Sequence, residues 1–163
     1  VDLLYLPGGY PENRALQLSA APRVIDSVKA HIERGGKTIA ECGGMMYLAS
    51  ELVMCKDPYT AFKMVDALPM KVSACKDDMR LAMGYRSFDF RGVKLRGHEF
   101  HYSDSNNNGH DFLALKASGI SEWSCSHANK VLYAGYPHIH LWGNINFARN
   151  FIRACDEFAK KRD

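Results

Sequence analysis

The chain has 163 residues, of which 47% are hydrophobic and 24% are charged, as is typical of one globular domain with a sizeable core. Its formal net charge is +3 and it lacks a run of about five like charges, so we expect no nucleic-acid partner. It also lacks an apolar run of about 18 residues and a basic leader, so we expect no membrane partner and no signal peptide.

Cysteine usage gives an expectation about the compartment. Single cysteines lie at Cys42, Cys55, Cys75, Cys125 and Cys155. An odd number without CxxC pairs is typical of a reducing cytoplasm rather than of a disulfide framework or a zinc ribbon. We therefore predict a cytoplasmic location without a disulfide framework.

The first 40 residues predict a strand–helix–strand unit. Residues 3–6 (LLYL) form an apolar strand, and residues 7–12 (PGGYPE) form a rigid loop whose main chain can approach a ligand. A helix follows from about Pro22, with Val24, Val28 and Ile32 on one apolar face. A second strand over 37–40 then completes a right-handed parallel crossover. This order places the loop at 7–12 and the residues after Ala40 at the same edge of the sheet, where ligands of α/β sheets bind.

Residues 38–48 (TIAECGGMMYL) predict a nucleophile elbow centred on Cys42. A strand, a sharp turn and a helix that runs to about Leu52 would lift the Cys42 side chain out of the backbone. The glycines at 43 and 44 tolerate the turn and leave room for a substrate. The positive end of the helix dipole would favour the thiolate. The alternative is a buried structural cysteine, because free cysteines are often buried.

Beyond residue 54 the pattern changes from a parallel to an antiparallel type. Residues 55–78 indicate loops around short strands. Residues 80–90 and 93–102, separated by Arg91-Gly92, predict an antiparallel hairpin. The asparagine-rich segment 103–109 predicts an exposed loop, residues 123 and 131–136 predict further strands, and residues 144–161 predict a closing helix. The expected fold class is α/β, with a mostly parallel sheet and an added antiparallel portion.

A cysteine nucleophile needs a general base and donors for an oxyanion. His138 follows an apolar strand, so we expect it at a strand edge within reach of Cys42. The predicted oxyanion donors are the amide of Gly43 and an amide of the Gly8–Gly9–Tyr10 segment. His31 lies on the predicted helix, whereas His110 and His127 lie in polar loops.

A metal centre is the rival interpretation. His98, Glu99, His101, His138 and His140 could supply ligands, and Cys42 could supply a thiolate. On a strand, however, His98 and His101 point to opposite faces, and no third ligand for the His138–His140 pair has motif-like spacing. We therefore predict no metal.

Four separated blocks resemble the cobyrinic acid a,c-diamide synthases, and specifically their C-terminal glutaminase domain of the class I glutamine amidotransferase type. The blocks span the chain in the family's order: residues 7–12 (PGGYPE), 40–48 (AECGGMMYL), 96–103 (RGHEFHYS) and 136–140 (YPHIH). The resemblance implies a flavodoxin-like three-layer sandwich over residues 1–163. It also implies that the domain is truncated at its N-terminus, because roughly 50 residues of first strands and helix, and the whole ATP-binding synthetase domain, precede this region in the family.

The resemblance implies a role for each matching residue. Cys42 matches the nucleophile that forms a glutamyl thioester, and His138 matches its base. Gly9, Tyr10 and Gly43 match the oxyanion and substrate-binding region, while Glu41, His98, Glu99, His101 and His140 are possible residues lining the site. Glutamine would be the substrate, and no cofactor would bind to this domain. ATP and Mg²⁺ would bind to the synthetase domain, which acts on the corrinoid. The implied activity is that of a C–N ligase with glutamine as the amide donor, and a glutaminase at most for this fragment.

The chain also departs from the family's pattern. Many class I amidotransferases carry His-x-Glu, but His140 stands at that position, so the third member of a triad is unnamed and a Cys–His dyad is favoured. Pro137 could shift His138, and Leu141-Trp142-Gly143 replaces the usual sequence after the histidine block. Two alternatives remain open: a non-catalytic amidotransferase-like module that binds or regulates, and a thiol hydrolase on the same fold.

Overall fold

The structure is a computed structural model that describes residues 1–55, 59–75 and 81–162. The helices within these residues are α1 (Ala15–Ser19), α2 (Pro22–Glu33), α3 (Gly43–Leu48) and α4 (Ile145–Arg162), with single 3-10 turns at Pro11–Arg14 and Leu141–Gly143. The strands are β1 (Leu3–Leu6), β2 (Lys37–Glu41), β3 (Glu51–Met54), β4 (Thr60–Lys63), β5 (Lys71–Ser73), β6 (Ala82–Phe90), β7 (Val93–His101), β8 (Asp104–Ser105), β9 (Phe112–Lys116), β10 (Glu122–Cys125), β11 (His127–Ala128), β12 (Leu132–Gly135) and β13 (His138–Ile139).

A sheet with the order β1-β2-β12-β11 forms the centre of the domain. β1, β2 and β12 are parallel, with Leu6 opposite Ala40 and Gly135 opposite Glu41, whereas β11 runs antiparallel at the edge. The strand–helix–strand unit predicted from the first 40 residues is therefore confirmed. The loops that leave β1, β2 and β12 meet at one edge of this sheet, which is where open α/β sheets bind ligands.

Apolar side chains cover both faces of the central sheet. Along β2, Ala40 packs with one buried group that includes α2 and α3, while Ile39 packs with another that includes the β6–β7 hairpin and α4. Tyr133 and Ala134 on β12 divide between the two groups in the same way. Successive side chains of a strand point to opposite faces, so this division produces a layered α/β domain. The predicted α/β class is confirmed.

The predicted apolar face of α2 is wrong in one position. Val24 is 53% exposed, and the neighbouring Ile25 is buried in its place. Val28 and Ile32 pack partly against the same core as Ile25. The buried stripe thus follows positions 25, 28 and 32, a spacing of three and four residues that also fits one helix face.

The antiparallel portion is a separate sheet with the order β10-β9-β6-β7-β13. β6 and β7 form the predicted hairpin and turn at Arg91-Gly92, where both residues have positive φ, at 52° and 86°. Such a two-residue turn matches the twist of the flanking strands. Arg80, at the start of the predicted hairpin, lies outside the described residues. The short strand β13 pairs with β7 so that His138 lies opposite His98, which joins this sheet to the edge of the central one.

A third sheet, with the order β4-β3-β5-β8, corrects two expectations. The helix after Cys42 ends at Leu48 instead of Leu52, because Ala49 is extended and residues from Glu51 onward pair with β4 and β5. The segment 103–109 is not simply an exposed loop, because Ser103 is buried and β8 pairs with β5. Short strands around loops were predicted for 55–78. β4 and β5 agree with this, although Pro58 and residues 76–78 lie outside the described residues.

The cysteines also differ from the expectation. Cys55 and Cys75 form a disulfide, whereas Cys42, Cys125 and Cys155 are free and buried. The expected absence of disulfides is therefore wrong for this pair, which β3 and β5 bring together by ending side by side. Within the described residues, no helix is both long enough and apolar enough to cross a membrane.

Candidate active site

Cys42 occupies a strained turn between β2 and α3. Its φ of 50° and ψ of −109° lie outside the regions that L-residues ordinarily adopt. Its amide donates to the Gly135 carbonyl oxygen at 2.7 Å, and its own carbonyl accepts the Met46 amide. Strand β12 and helix α3 therefore hold a backbone conformation that residues avoid unless their surroundings fix it. This is the geometry that the glycine-rich turn predicts for an elbow.

Two backbone amides act on the Cys42 sulfur. They belong to Gly43, the next residue along the chain, and to Gly9, in the loop after β1. The two segments touch, because a side chain on Gly43 would meet the backbone of Gly9. Only a residue without Cβ lets the loop come this close. The arrangement supplies two N–H donors near the sulfur, as the oxyanion of an acyl transfer requires.

The expectation that the helix end favours the thiolate is not met in this structure. Burial raises the pKa of the Cys42 thiol, and the Glu12 and Glu41 carboxylates act in the same direction, whereas the amides of Gly43 and Gly9 act against them. Burial prevails because desolvation disfavours the charged form of a thiol. α3 has only six residues, so its dipole is short. The Cys42 thiol points to the Phe100 carbonyl oxygen, at 3.8 Å.

Replacing Glu12 with glutamine is expected to lower the pKa of Cys42. The Glu12 carboxylate opposes the thiolate, and within the described residues its buried Oε2 has no hydrogen-bond partner. Removing this charge should speed alkylation of Cys42 by iodoacetamide at pH 7 roughly three- to tenfold, since one pKa unit changes the thiolate fraction tenfold. Peptide-resolved mass spectrometry across pH measures the rate. The exposed Glu33→Gln variant is the control, and an unchanged pH curve for Glu12→Gln would contradict the prediction.

His138 lies beside the loop that carries Gly9. A side chain on Gly8 would collide with the His138 ring, so the imidazole packs directly on this loop. One face of the ring is covered by His98, whose ring is nearly parallel to it at 4.7 Å between centroids. Burial lowers the pKa of His138, His98 lowers it further, and the Glu41 carboxylate raises it. The imidazole is thus held neutral, as a general base must be before it takes a proton.

Glu41 connects Cys42 with the His138 strand. It is the last residue of β2 and its side chain is 7% exposed. Its Oε1 accepts the Ile139 amide at 2.8 Å, and its Oε2 accepts the Tyr5 hydroxyl at 2.7 Å. The same Oε2 lies 3.8 Å from His138 Nδ1. Burial, followed by this carboxylate, raises the pKa of Tyr5 to about 12.

A small cavity of about 10 Å³ opens next to the Cys42 side chain. It is lined by Gly9, Tyr10, Glu12, Cys42, Met46, Phe100, His101, Tyr102 and Ser103. A space of this size holds one water molecule. Tyr10 and Tyr102 are 55% and 42% exposed, so they border its mouth from opposite segments of the chain. A ligand larger than water therefore needs side chains at this mouth to move.

The remaining predicted residues lie at different places. His101 lines the Cys42 cavity, stacks on Tyr136 at 3.6 Å and makes a 2.8 Å hydrogen bond from Nδ1 to the Ser103 carbonyl oxygen. Glu99 faces a separate cavity of about 400 Å³ and is paired with Arg86 at 3.2 Å. His140 is exposed at the start of a 3-10 turn. The structure thus places His98 beside His138 and His101 beside Cys42. Glu99 and His140 do not line the Cys42 cavity.

No cluster of three or more His, Cys, Asp or Glu side chains suited to a metal ion occurs in residues 1–55, 59–75 and 81–162. The histidines named above as potential metal ligands make other contacts. The rings of His98 and His138 stack face to face, so their nitrogens do not point toward a common position. His101 is engaged with Ser103 through Nδ1.

Three residues beside the site were not singled out from the sequence. Glu12 lines the Cys42 cavity, Tyr136 stacks on His101, and Tyr5 holds Glu41. A signal for Glu12 was present, because an acidic residue closes the PGGYPE loop that was expected to approach a ligand. The roles of Tyr5 and Tyr136 depend on contacts between distant segments, which the local sequence does not reveal.

A strained cysteine between a parallel strand and a helix, with backbone amides of two segments at its sulfur, is the arrangement expected of an α/β domain of the glutamine amidotransferase class. A solved structure of a glutamine amidotransferase has the same fold, with a TM-score of 0.65 and 17% identity over 96% of this chain and 80% of that chain. The profile of the CobB/CobQ-like glutamine amidotransferase domain matches residues 1–145, and the chain belongs to this family.

The chain is also similar to curated relatives. A cobyrinate a,c-diamide synthase of Fusobacterium nucleatum is 36% identical over 151 residues, which are 90% of this chain and 33% of the relative. One of Priestia megaterium is 34% identical over 99% of this chain and 36% of the relative. The chain thus spans about a third of the relatives' length. The resemblance inferred from the four sequence blocks is confirmed, as is the class of glutamine-hydrolysing amidotransferases.

Proposed function

We propose that this chain is the glutaminase domain of an enzyme that amidates the a and c carboxylates of cobyrinic acid, a step in cobalamin biosynthesis. The observation that carries the proposal is the Cys42 elbow, with the amides of Gly9 and Gly43 directed at its sulfur. The name shared by the relatives, cobyrinate a,c-diamide synthase, supports cobyrinic acid as the acceptor of the ammonia. Glutamine is the nitrogen donor that the family's name implies.

In the proposed reaction, His138 takes the thiol proton and the Cys42 sulfur attacks the side-chain carboxamide carbon of glutamine. The carbonyl oxygen becomes an oxyanion, which the Gly9 and Gly43 amides stabilise. His138 then gives the proton to the leaving nitrogen, so that ammonia departs and a glutamyl thioester remains. Water, deprotonated by the same histidine, cleaves the thioester to glutamate and restores the thiol. No other reactant is needed for this half of the reaction.

The other half of the proposed reaction requires a second domain. Activation of a carboxylate for amidation consumes ATP with Mg²⁺, and we assign both to a synthetase domain of the full-length protein, which also binds the corrinoid. The coverage of about a third of the relatives is consistent with such a partner domain. We propose the cytoplasm as the location, because the reaction needs a reduced thiol and Cys42 is free. The Cys55–Cys75 disulfide is the observation that opposes this location.

A non-catalytic module of the glutamine amidotransferase type, which only binds or regulates, is the second candidate. It is favoured by burial that raises the pKa of Cys42, and by a thiol directed to the Phe100 carbonyl oxygen. A thiol hydrolase on the same fold is the third. Neither of these two candidates predicts that a glutamine analogue will alkylate Cys42 selectively, so one experiment separates them from the glutaminase.

Incubation with a glutamine-mimicking diazo-ketone is expected to add one adduct to the wild-type chain, located on Cys42 by peptide mass spectrometry. Cys42→Ala should lose the adduct, while Cys125→Ala, which removes another buried free thiol, should keep it. Free glutamine should protect Cys42. A folded wild-type chain that stays unlabelled, both alone and within the full-length protein, would overturn the proposal in favour of the non-catalytic module.

A further inference from the structure

We infer that Glu41 is the positioning residue of the His138 base, and so completes a Cys42–His138–Glu41 triad from the strand that carries the nucleophile. This inference rests on the proposed function and deepens it. The position two residues after the histidine, where many class I amidotransferases have a glutamate, is occupied by His140, which is exposed. The carboxylate that faces the His138 ring comes instead from the residue directly before Cys42.

The carboxylate of Glu41 is held rigidly from two sides. Tyr5 on β1 donates to Oε2 and the Ile139 amide on β13 donates to Oε1, at 2.7 and 2.8 Å. A buried carboxylate is costly unless it is hydrogen-bonded, and both oxygens of Glu41 meet this requirement. Because Ile139 follows His138 directly, the second bond also fixes the backbone that carries the imidazole. The position of Glu41 relative to the ring is therefore set by three strands.

The His138 ring is constrained on its other sides as well. His98 stacks on it with an angle of 5° between the ring planes, and the Gly8 backbone packs against it. The edge that carries Nδ1 then faces Glu41 Oε2 at 3.8 Å. This separation is longer than a hydrogen bond, but contacts of this kind are often long before substrate binds. An Nδ1–H directed at Glu41 leaves Nε2 as the basic nitrogen.

The charge of Glu41 has a defined task in this arrangement. When His138 takes the thiol proton it becomes an imidazolium, and a neighbouring anion favours that form. The other titratable groups that face His138 act oppositely: His98 on β7 lowers its pKa, and His101 lies close enough to interact with it electrostatically. Glu41 is thus the group in the described surroundings that supports the protonated state.

Glu41→Gln tests the role, because glutamine has nearly the same shape. Its Oε1 can still accept the Ile139 amide, and its amide group can donate to the Tyr5 hydroxyl, so the packing is kept and the charge is lost. We expect kcat for glutamine hydrolysis to fall about tenfold with KM nearly unchanged, since a general base contributes about 10²- to 10⁴-fold and this variant weakens it without removing it. The pKa of His138, followed by NMR with labelled histidine, should fall.

The matched control is Glu33→Gln, which makes the same chemical change at an exposed residue outside the site. It should leave kcat within about twofold, since the charge that favours the imidazolium remains on Glu41. It should not lower the pKa of His138. A Glu41→Gln variant with wild-type kcat, or one that loses activity through KM with the pKa of His138 unchanged, would overturn the inference.

One further measurement keeps the inference testable if the variants fold poorly or the proposed function fails. In the wild-type chain, nitrogen chemical shifts report the tautomer of neutral His138. The Nδ1–H form is expected, and the Nε2–H form would overturn the role of Glu41. This readout needs no glutamine. A chain that shows the Nδ1–H form but neither hydrolyses glutamine nor reacts with the diazo-ketone would therefore retain the Glu41–His138 pair and refute the proposed activity alone.

Discussion

His138→Asn is expected to lower kcat for glutamine hydrolysis about 10²- to 10⁴-fold, the usual contribution of a positioned general base. The reason lies in the surroundings of the ring. His138 packs on Gly8, and the next residue of that loop, Gly9, directs its amide at the Cys42 sulfur. His138 also faces Glu41, the residue directly before Cys42. The same imidazole serves both thioester formation and hydrolysis, so no thioester should accumulate. A coupled assay for glutamate measures the loss.

The competing base is His101, whose imidazole lines the Cys42 cavity. Its Nδ1 is bound to the Ser103 carbonyl oxygen, so its Nε2 is also free to accept a proton. Burial lowers the pKa of His101, while its hydrogen bond to Ser103 and the Asp104 carboxylate raise it. Within the described residues, however, His101 has no ion pair like the one between His138 and Glu41. We therefore expect His101→Asn to cost less than His138→Asn. The reverse order would assign the base to His101, and the exposed His110→Asn controls for loss of a histidine as such.

The parts of the fold that sequence reasoning predicted are those fixed by local pattern. The β1–α2–β2 unit follows from apolar periodicity and glycine stops, and the β6–β7 hairpin from alternation about Arg91-Gly92. The elbow was predictable because a strand, a glycine-rich turn and a helix are local features, and Cys42 has the positive φ of such a sharp turn. The β1–α2–β2 unit and the elbow also carry Gly9 and Cys42, so the place of the nucleophile could be inferred before its geometry. His138 lies on the separate strand β13.

The third sheet could not be inferred in the same way. β3 pairs with β5 in parallel and with β4 in antiparallel orientation, and β5 pairs with β8, which follows the hairpin. Each of these strands is two to four residues long, too short for a periodic signal. The early end of α3 and the Cys55–Cys75 pair both follow from this sheet, and so were missed together.

The electrostatics of the site depend on burial, which local sequence does not give. The turn of Cys42 and its following helix indicated a thiolate, but desolvation and the Glu12 carboxylate oppose it. Glu41 offered a sequence signal of a different kind: an acidic residue at the end of a buried strand must find partners. Which partners it finds, Tyr5, Ile139 and the His138 ring, depends on three strands that are far apart in the sequence.

Gly44→Ala is expected to lower the free energy of unfolding by about 2 kcal/mol, which for a domain of this size lowers Tm by roughly 4–8 °C. A Cβ on Gly44 would meet the backbone of Leu6, including its carbonyl oxygen, with the Leu6 carbonyl carbon and Cβ both at 2.8 Å. Backbone atoms of a strand cannot rotate away as a flexible side chain would, so β1 and α3 must separate. Alanine is favoured over glycine in a helix by about 1 kcal/mol, which offsets part of the cost but not all of it.

Gly9→Ala is the matched control, because no atom lies within 4 Å of the Cβ it would add. Its free energy of unfolding should stay within about 0.5 kcal/mol of wild type, as is usual for surface substitutions. Thermal and denaturant unfolding of the two variants therefore compare a glycine required for close packing with one that is not.

Because Leu6 leads directly into the loop that carries Gly9, displacement of β1 should also move the Gly9 amide away from the Cys42 sulfur. Gly44→Ala should then lose diazo-ketone labelling even at temperatures where it remains folded. A Gly44→Ala variant as stable and as reactive as Gly9→Ala would show that the contact between α3 and β1 does not position the Gly9 amide.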